Sequence, residues 1–201
     1  MVNRPVYGLV LAGGRSRRMG QDKALLDHSG KSQLAYSVDI LSRCVEQVFV
    51  STRPDQVGES ERGRYQQIVD RYDNLGPVAG ILSALREYPD VDWLVVACDL
   101  PNIDEATIRH LLEESDEQQS FTAYASSFDG LPEPLCAIYR SGCADIIQGF
   151  VDDGLNCPRK ILIRSQAELL TQPNPRALDN VNTPDELQNS PLRASPPRAS
   201  R

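Results

Sequence analysis

Val6-Tyr7-Gly8-Leu9-Val10-Leu11-Ala12 runs without interruption into Gly13-Gly14-Arg15-Ser16-Arg17-Arg18-Met19-Gly20-Gln21-Asp22-Lys23. An uncharged apolar run of this kind suits a strand buried on both faces, the habit of parallel sheets. The segment that follows sets three arginines and a lysine among three glycines. Glycine lets backbone N–H groups approach phosphate oxygens closely, and arginine forks and a lysine ammonium offset the charge of a triphosphate. The loop is not a P-loop, because no Gly-Lys-Ser or Gly-Lys-Thr stands at the required spacing, and it lacks the Gly-x-Gly-x-x-Gly of dinucleotide folds.

Working outward, Leu34, Val38, Leu41 and Val45 recur at helical spacing, and Val48-Phe49-Val50 makes a second apolar run. Ile68-Val69 is a third, followed by Gly76-Pro77, with the proline suited to the first turn of a helix carrying Ile81, Leu82 and Leu85. Trp93 to Cys98 is a fourth, ending at Asp99. After Pro101 a helix is expected with Asp104 as its cap and Ile108, Leu111 and Leu112 on its apolar side. This alternation predicts a three-layer α/β/α domain with a doubly wound, mostly parallel sheet. Phe121 to Ser126 and Leu135 to Tyr139, around a turn at Asp129-Gly130, predict a small mixed or antiparallel part. Thr183-Pro184-Asp185-Glu186 reads as a helix-capping box, and residues 190–201, rich in Pro, Arg, Ser and Ala, as a disordered tail.

The chain has 201 residues, 40% hydrophobic and 24% charged, which suits a single globular domain. Its net charge of −7 argues against a general footprint for nucleic acid or anionic membrane. No apolar run approaches the roughly 18 residues of a membrane span. A cytoplasmic protein is therefore expected, with its 5 cysteines reduced, since none stand in Cys-x-x-Cys spacing.

In such sheets ligands sit at the carboxyl ends of strands. Asp99 stands at one of those ends, where a hard oxygen ligand suits Mg²⁺ bridging phosphates. Asp70 follows the third run, so its carboxylate and the glycines of Gly76 to Gly80 are expected at the same edge, where glycine permits close contact with a base or ribose.

Leu11 to Lys23 resembles the signature loop of nucleotidyltransferases with a Rossmann-like fold, of the form Leu-Ala-Gly-Gly-x-Ser-x-Arg-Met-Gly followed by Asp-Lys. Cys98-Asp99-Leu100-Pro101 looks like their metal-binding motif. Gly76-Pro77-Val78-Ala79-Gly80 resembles the Gly-Pro-Leu-Ala-Gly stretch of molybdenum cofactor guanylyltransferases, and Asn180-Val181-Asn182-Thr183-Pro184 is similar to their Asn-x-Asn-Thr-Pro segment. The resemblance implies a nucleotide-diphospho-sugar transferase-like domain over residues 1–189 that moves GMP from GTP to the molybdopterin cofactor and releases pyrophosphate. By carry-over, the backbone of Leu11, Ala12 and Gly13, with Lys23, Asp70 and Asp99, would hold the nucleotide. Asp99 would also bind Mg²⁺, Arg18 would stabilise the phosphates alongside Lys23, and Asn180 and Asn182 would line the side of the acceptor cofactor. An acidic surface with one basic cleft would suit docking to molybdopterin-handling proteins.

Two positions depart from the family pattern. Ser51 stands where an asparagine is common, and Glu133 precedes Pro134 where many relatives carry histidine. Competing readings are cytidylyl transfer to the same cofactor, nucleotidyl transfer to a sugar phosphate, and a noncatalytic nucleotide-binding or partner-binding module. Gly13-Gly14 resembles the guanylyl branch, where cytidylyl relatives usually read Leu-Ala-Ala-Gly. His28 and His110 lie far from these motifs and are expected to be packing or surface residues.

Overall fold

In the computed structural model, which describes residues 4–14, 22–180 and 192–193, the opening apolar run is strand β1 (Val6–Leu11). A short hairpin, β2 (Asp27–His28) and β3 (Lys31–Ser32), leads into helix α1 (Gln33–Leu41) and strand β4 (Gln47–Thr52). Then follow β5 (Gln66–Val69), α2 (Pro77–Glu87), β6 (Asp92–Ala97) and α3 (Glu105–Glu114). The second half holds β7 (Phe121–Ala125), β8 (Pro132–Tyr139), α4 (Ala144–Asp152), α5 (Pro158–Arg164) and β9 (Glu168–Leu170).

The main sheet has the order β5-β4-β1-β6-β8-β7-β9. The pairs β5–β4, β4–β1, β1–β6 and β7–β9 are parallel, and β8 alone runs against its neighbours β6 and β7. The mostly parallel sheet with a small antiparallel part is thus as the alternation implied.

Alternate residues of each strand feed two separate cores, because side chains on a strand point to opposite faces. Val10, Val50, Leu94 and Val96 pack with Leu34, Val38 and Leu41 of α1 and Ile108 and Leu111 of α3. Leu9, Phe49, Trp93 and Val95 pack with Ile81, Leu82 and Leu85 of α2, Ile147 of α4 and Leu162 of α5. These are the two helical layers.

Local chemistry sets the helix ends. Ser32 caps α1 through Ala35 N at 3.1 Å, and Asp104 caps α3 through Thr107 N at 2.7 Å, as its sequence position predicts. Burial acts to raise the Asp104 pKa, but the bonds from Thr107 and Asn174 outweigh it and hold it low. Helix α1 stops at Leu41, earlier than the spacing of Val45 implied. Ser42 Oγ there donates back to Val38 O at 2.8 Å, and Val45 packs from the turn instead of from the helix. Helices α4 and α5 and strand β9 were not anticipated from the sequence.

Away from the carboxyl ends of the parallel strands, a buried ion pair ties β6 to the chain leaving β8: Arg140 Nη1 lies 2.9 Å from Asp92 Oδ2. Ser141 N and the Ser115 hydroxyl complete the network. The capping box at Thr183 lies outside the described residues, as does most of the expected tail. Within that stretch Leu192–Arg193 forms strand β10, antiparallel to β2 and hydrogen-bonded to it. Among the described residues no helix is long and apolar enough to cross a membrane, and all five cysteines are free thiols.

Candidate active site

A cleft of about 770 Å³ opens at the carboxyl ends of the parallel strands, lined by Leu11 at the end of β1, Ser51 of β4, Asp70 after β5 and Ala97 to Asp99 at the end of β6. Strand β1 lies between β4 and β6 here, so successive connections leave it in opposite directions and open the crevice that doubly wound sheets use for ligands. Sequence-predicted residues Leu11, Ala12, Gly13, Lys23, Asp70 and Asp99 all line it.

Lys23 opens a single turn of 3-10 helix, Lys23–Leu25, capped by Asp22 Oδ1 accepting from Ala24 N at 3.1 Å. Its Nζ lies 3.2 Å from Asp99 Oδ2, with both side chains more than three-quarters buried. Asp99 Oδ1 is buried without a hydrogen-bond partner among the described residues. A buried carboxylate oxygen left unpaired is costly unless a ligand meets it, and a hard oxygen at the rim of this cleft fits Mg²⁺. Among the described residues no cluster of three or more His, Cys, Asp or Glu is placed to hold a metal.

Ser51 Oγ donates to Asp70 Oδ1 at 2.8 Å. Burial pushes the Asp70 carboxyl above the usual range, against the opposing pull of the Ser51 bond and the Arg53 charge. The departure at Ser51 therefore still supplies a side-chain hydrogen bond, directed at the neighbouring carboxylate. Gly80 has a different use from the expected contact with base or ribose. A Cβ there would collide with Ser51 Oγ and come within 3.0 Å of Leu11 Cδ2, so glycine lets α2 seat against β1 and β4. Gly76, with φ +57, supplies the left-handed turn before Pro77.

Two arginines missed in the sequence grip the glycine loop from outside. Arg62 Nη2 donates to Ala12 O at 2.7 Å, and Arg53 Nη1 donates to Gly13 O. In a trans peptide the carbonyl and the following N–H point to opposite sides. The N–H groups of Gly13 and Gly14 are thereby turned away from these guanidiniums, and among the described residues no acceptor takes them. Arg53 follows a strand end by one residue, a position that could have marked it as cleft-lining. Arg62 sits in a polar stretch with no sequence signal.

Among the described lining residues, five carboxylates (Asp22, Asp55, Asp70, Asp73 and Asp99) face two cations, Lys23 and Arg53. The described part of the cleft is therefore acidic. Arg15, Arg17, Arg18 and Asn182 lie outside the described residues. Asn180 is exposed and is not among the residues lining this cleft. Glu133 is paired with Arg159 at 3.1 Å, two residues before the cleft-lining Leu135. Cys98 is no nucleophile here, because burial pushes its thiol up to about 12. His28 is buried, stacked on Tyr36, with Nε2 2.9 Å from Pro101 O, and His110 bonds the Tyr124 hydroxyl. Both are packing residues.

Fold and site together define a nucleotidyltransferase of the nucleotide-diphospho-sugar transferase type. The chain belongs to the MobA-like NTP transferase family, whose model matches residues 8–169. It is 31% identical over 191 residues to a molybdenum cofactor guanylyltransferase of Shewanella frigidimarina, covering 91% of this chain and 94% of that one. It is 38% identical over 182 residues to a molybdenum cofactor biosynthesis bifunctional protein of Synechocystis, covering 90% of this chain but spanning only 52% of that longer protein. Among solved structures, molybdopterin-guanine dinucleotide biosynthesis protein A of Archaeoglobus fulgidus superposes with a TM-score of 0.76 at 25% identity, covering 91% of this chain and 95% of that one.

Proposed function

We propose that this chain transfers GMP from GTP to the molybdopterin cofactor. An oxygen of the acceptor's terminal phosphate attacks the α-phosphorus of GTP. A new P–O–P linkage forms, the α–β phosphoanhydride bond breaks, and pyrophosphate leaves with that bonding pair. The observation that carries this reading is the Lys23–Asp99 pair at 3.2 Å at the carboxyl ends of the strands, with the second Asp99 oxygen buried and unpaired. The guanylyltransferase named among its relatives supports the choice of GTP and of acceptor.

The backbone of Leu11, Ala12 and Gly13 holds the nucleotide, Gly13 through its N–H, and Asp70 accepts from its hydroxyl or base donors. Lys23 and Arg18 neutralise the phosphates. Asn180 and Asn182 serve the acceptor side. Asp99 is the protein ligand for Mg²⁺, which when bound supplies positive charge to the triphosphate and its leaving group. Two phosphates that repel must be brought in line, so the protein's contribution is positioning and charge neutralisation, with no covalent protein intermediate. Residues 1–189 act as the transferase domain, and delivery of the acceptor involves docking to a molybdopterin-handling protein.

Calorimetric titration with GTP, CTP and ATP, with and without Mg²⁺, tests the reading, with Asp99→Asn as control. Mg²⁺-dependent preference for GTP that is lost in the control is the expected result. A CTP preference moves the assignment to cytidylyl transfer, and no binding at all leaves a noncatalytic module.

A further inference from the structure

We propose that Arg62, which does not itself line the cleft, is a positioning residue that holds Lys23 at Asp99, an inference that rests on the nucleotidyl-transfer reading above. Arg62 is 0% exposed. One of its nitrogens, Nη2, serves both ends of the glycine loop, donating to Ala12 O and to Asp22 Oδ2 at 2.7 Å each. Nη1 donates to Glu59, while Nε is buried without a partner among the described residues.

A buried guanidinium with an unsatisfied N–H is a poor device for stability alone, since desolvation offsets much of what its ion pairs return. Its geometry serves placement instead. Asp22 divides its two oxygens between Arg62 and Ala24 N, so the same carboxylate that Arg62 holds also caps the turn Lys23–Leu25. The chain of contacts runs from the Ala12 carbonyl through Arg62 and Asp22 to the turn that bears Lys23, whose Nζ meets Asp99 across the cleft. Arg62 thus sets the distance between the end of β1 and the turn that carries the phosphate-facing lysine.

The test is a double-mutant cycle on the full chain, with Arg62→Lys, Lys23→Ala and the combined variant. Affinity for GTP and for CTP with Mg²⁺ is measured by calorimetry, and thermal unfolding is recorded for each. Arg62→Lys should weaken binding about tenfold in the native background and by less than about twofold in the Lys23→Ala background, the non-additivity expected of residues acting through one another. Equal losses in both backgrounds overturn the inference, and so does a variant whose Tm falls while its nucleotide affinity holds. If Arg62→Lys does not fold, Asp22→Asn takes its place in the same cycle. It keeps an acceptor for Ala24 N, sets an amide against the guanidinium, and is read by the same two outcomes. A native chain that prefers CTP overturns the guanylyl assignment while the cycle still decides Arg62, and one that binds neither nucleotide overturns both.

Discussion

Ser51 Oγ donates to Asp70 Oδ1 at 2.8 Å, joining the carboxyl ends of two adjacent parallel strands at the floor of the cleft. The bond favours the ionised carboxylate, while burial works the other way. Ser51→Ala should therefore raise the Asp70 pKa further, and the acid limb of the pH profile for GTP binding should move to higher pH. The loss of affinity should be confined to the acid side of the profile, where the carboxyl of the variant is protonated and that of the native chain is still ionised. Calorimetry across pH on both proteins checks this, and an unmoved acid limb would remove Asp70 from the binding site.

Asp70 also carries a stability prediction whose sign is set by burial. Its folded pKa lies above the unfolded one, so the penalty for holding the charged form in the fold is absent below the unfolded pKa and grows as pH rises through the folded one. Asp70→Asn should be more stable than the native chain at pH 7 and indistinguishable from it below about pH 3, under the ordinary carboxylate range. The same variant should lose nucleotide affinity. Denaturant melts at the two pH values decide the point, and a variant less stable at pH 7 would mean that the Ser51 and Arg53 contacts outweigh burial.

Lys23→Ala and Asp99→Asn should each lower the rate of pyrophosphate release at saturating substrate by on the order of 10² to 10³, the usual loss for one preorganised electrostatic contact. The two differ in their response to metal. Asp99→Asn should flatten the dependence on Mg²⁺ concentration, whereas Lys23→Ala should retain it. Steady-state pyrophosphate assays over a Mg²⁺ series distinguish them. A common response would mean that the two side chains act only as an ion pair.

The buried pair Arg140–Asp92 lies away from the cleft. Arg140→Met leaves Asp92 buried with only part of its network, and breaking a buried pair in this way costs about 3–5 kcal/mol. Chemical denaturation should show that loss, while activity per folded molecule stays at the native value. A drop in activity with the fold intact would couple this network to the site.

Gly80→Ala should destabilise the chain by about 1–3 kcal/mol through overpacking, because the added methyl meets Ser51 and Leu11. Adding Ser51→Ala should recover only part of this, since the Ser51 Cβ and Leu11 Cδ2 each remain 3.0 Å from the new atom. Thermal unfolding of the three proteins measures it. Complete recovery would mean that the hydroxyl was the whole obstacle.

Much of the first half was legible because strands buried on both faces must be continuously apolar and the helices between them amphipathic. Val6–Leu11, Trp93–Val96 and the helix-start residues Pro77 and Asp104 carry those signals in a few adjacent residues. Helices α4 and α5 were less legible. Few of their side chains are fully buried, Ala144 and Ile147 in one and Ile161 and Leu162 in the other, so the apolar stripe is thin. The short strand β9 pairs at the sheet edge with one exposed leucine, and nothing in Glu168-Leu169-Leu170 distinguishes it from a turn.

The sequence by itself determined the parallel strands β1, β4, β5 and β6, the glycine loop as a motif and the two acidic strand ends, because each is written in neighbouring residues whose propensities and periodicity agree. Only the tertiary structure decided that Lys23 meets Asp99, that Ser51 bonds Asp70, and that Arg53 and Arg62 grip the backbone of the loop. These contacts join residues far apart in the chain. Their energies depend on distance, burial and the direction of a donor, none of which is set until the strands have taken their places side by side.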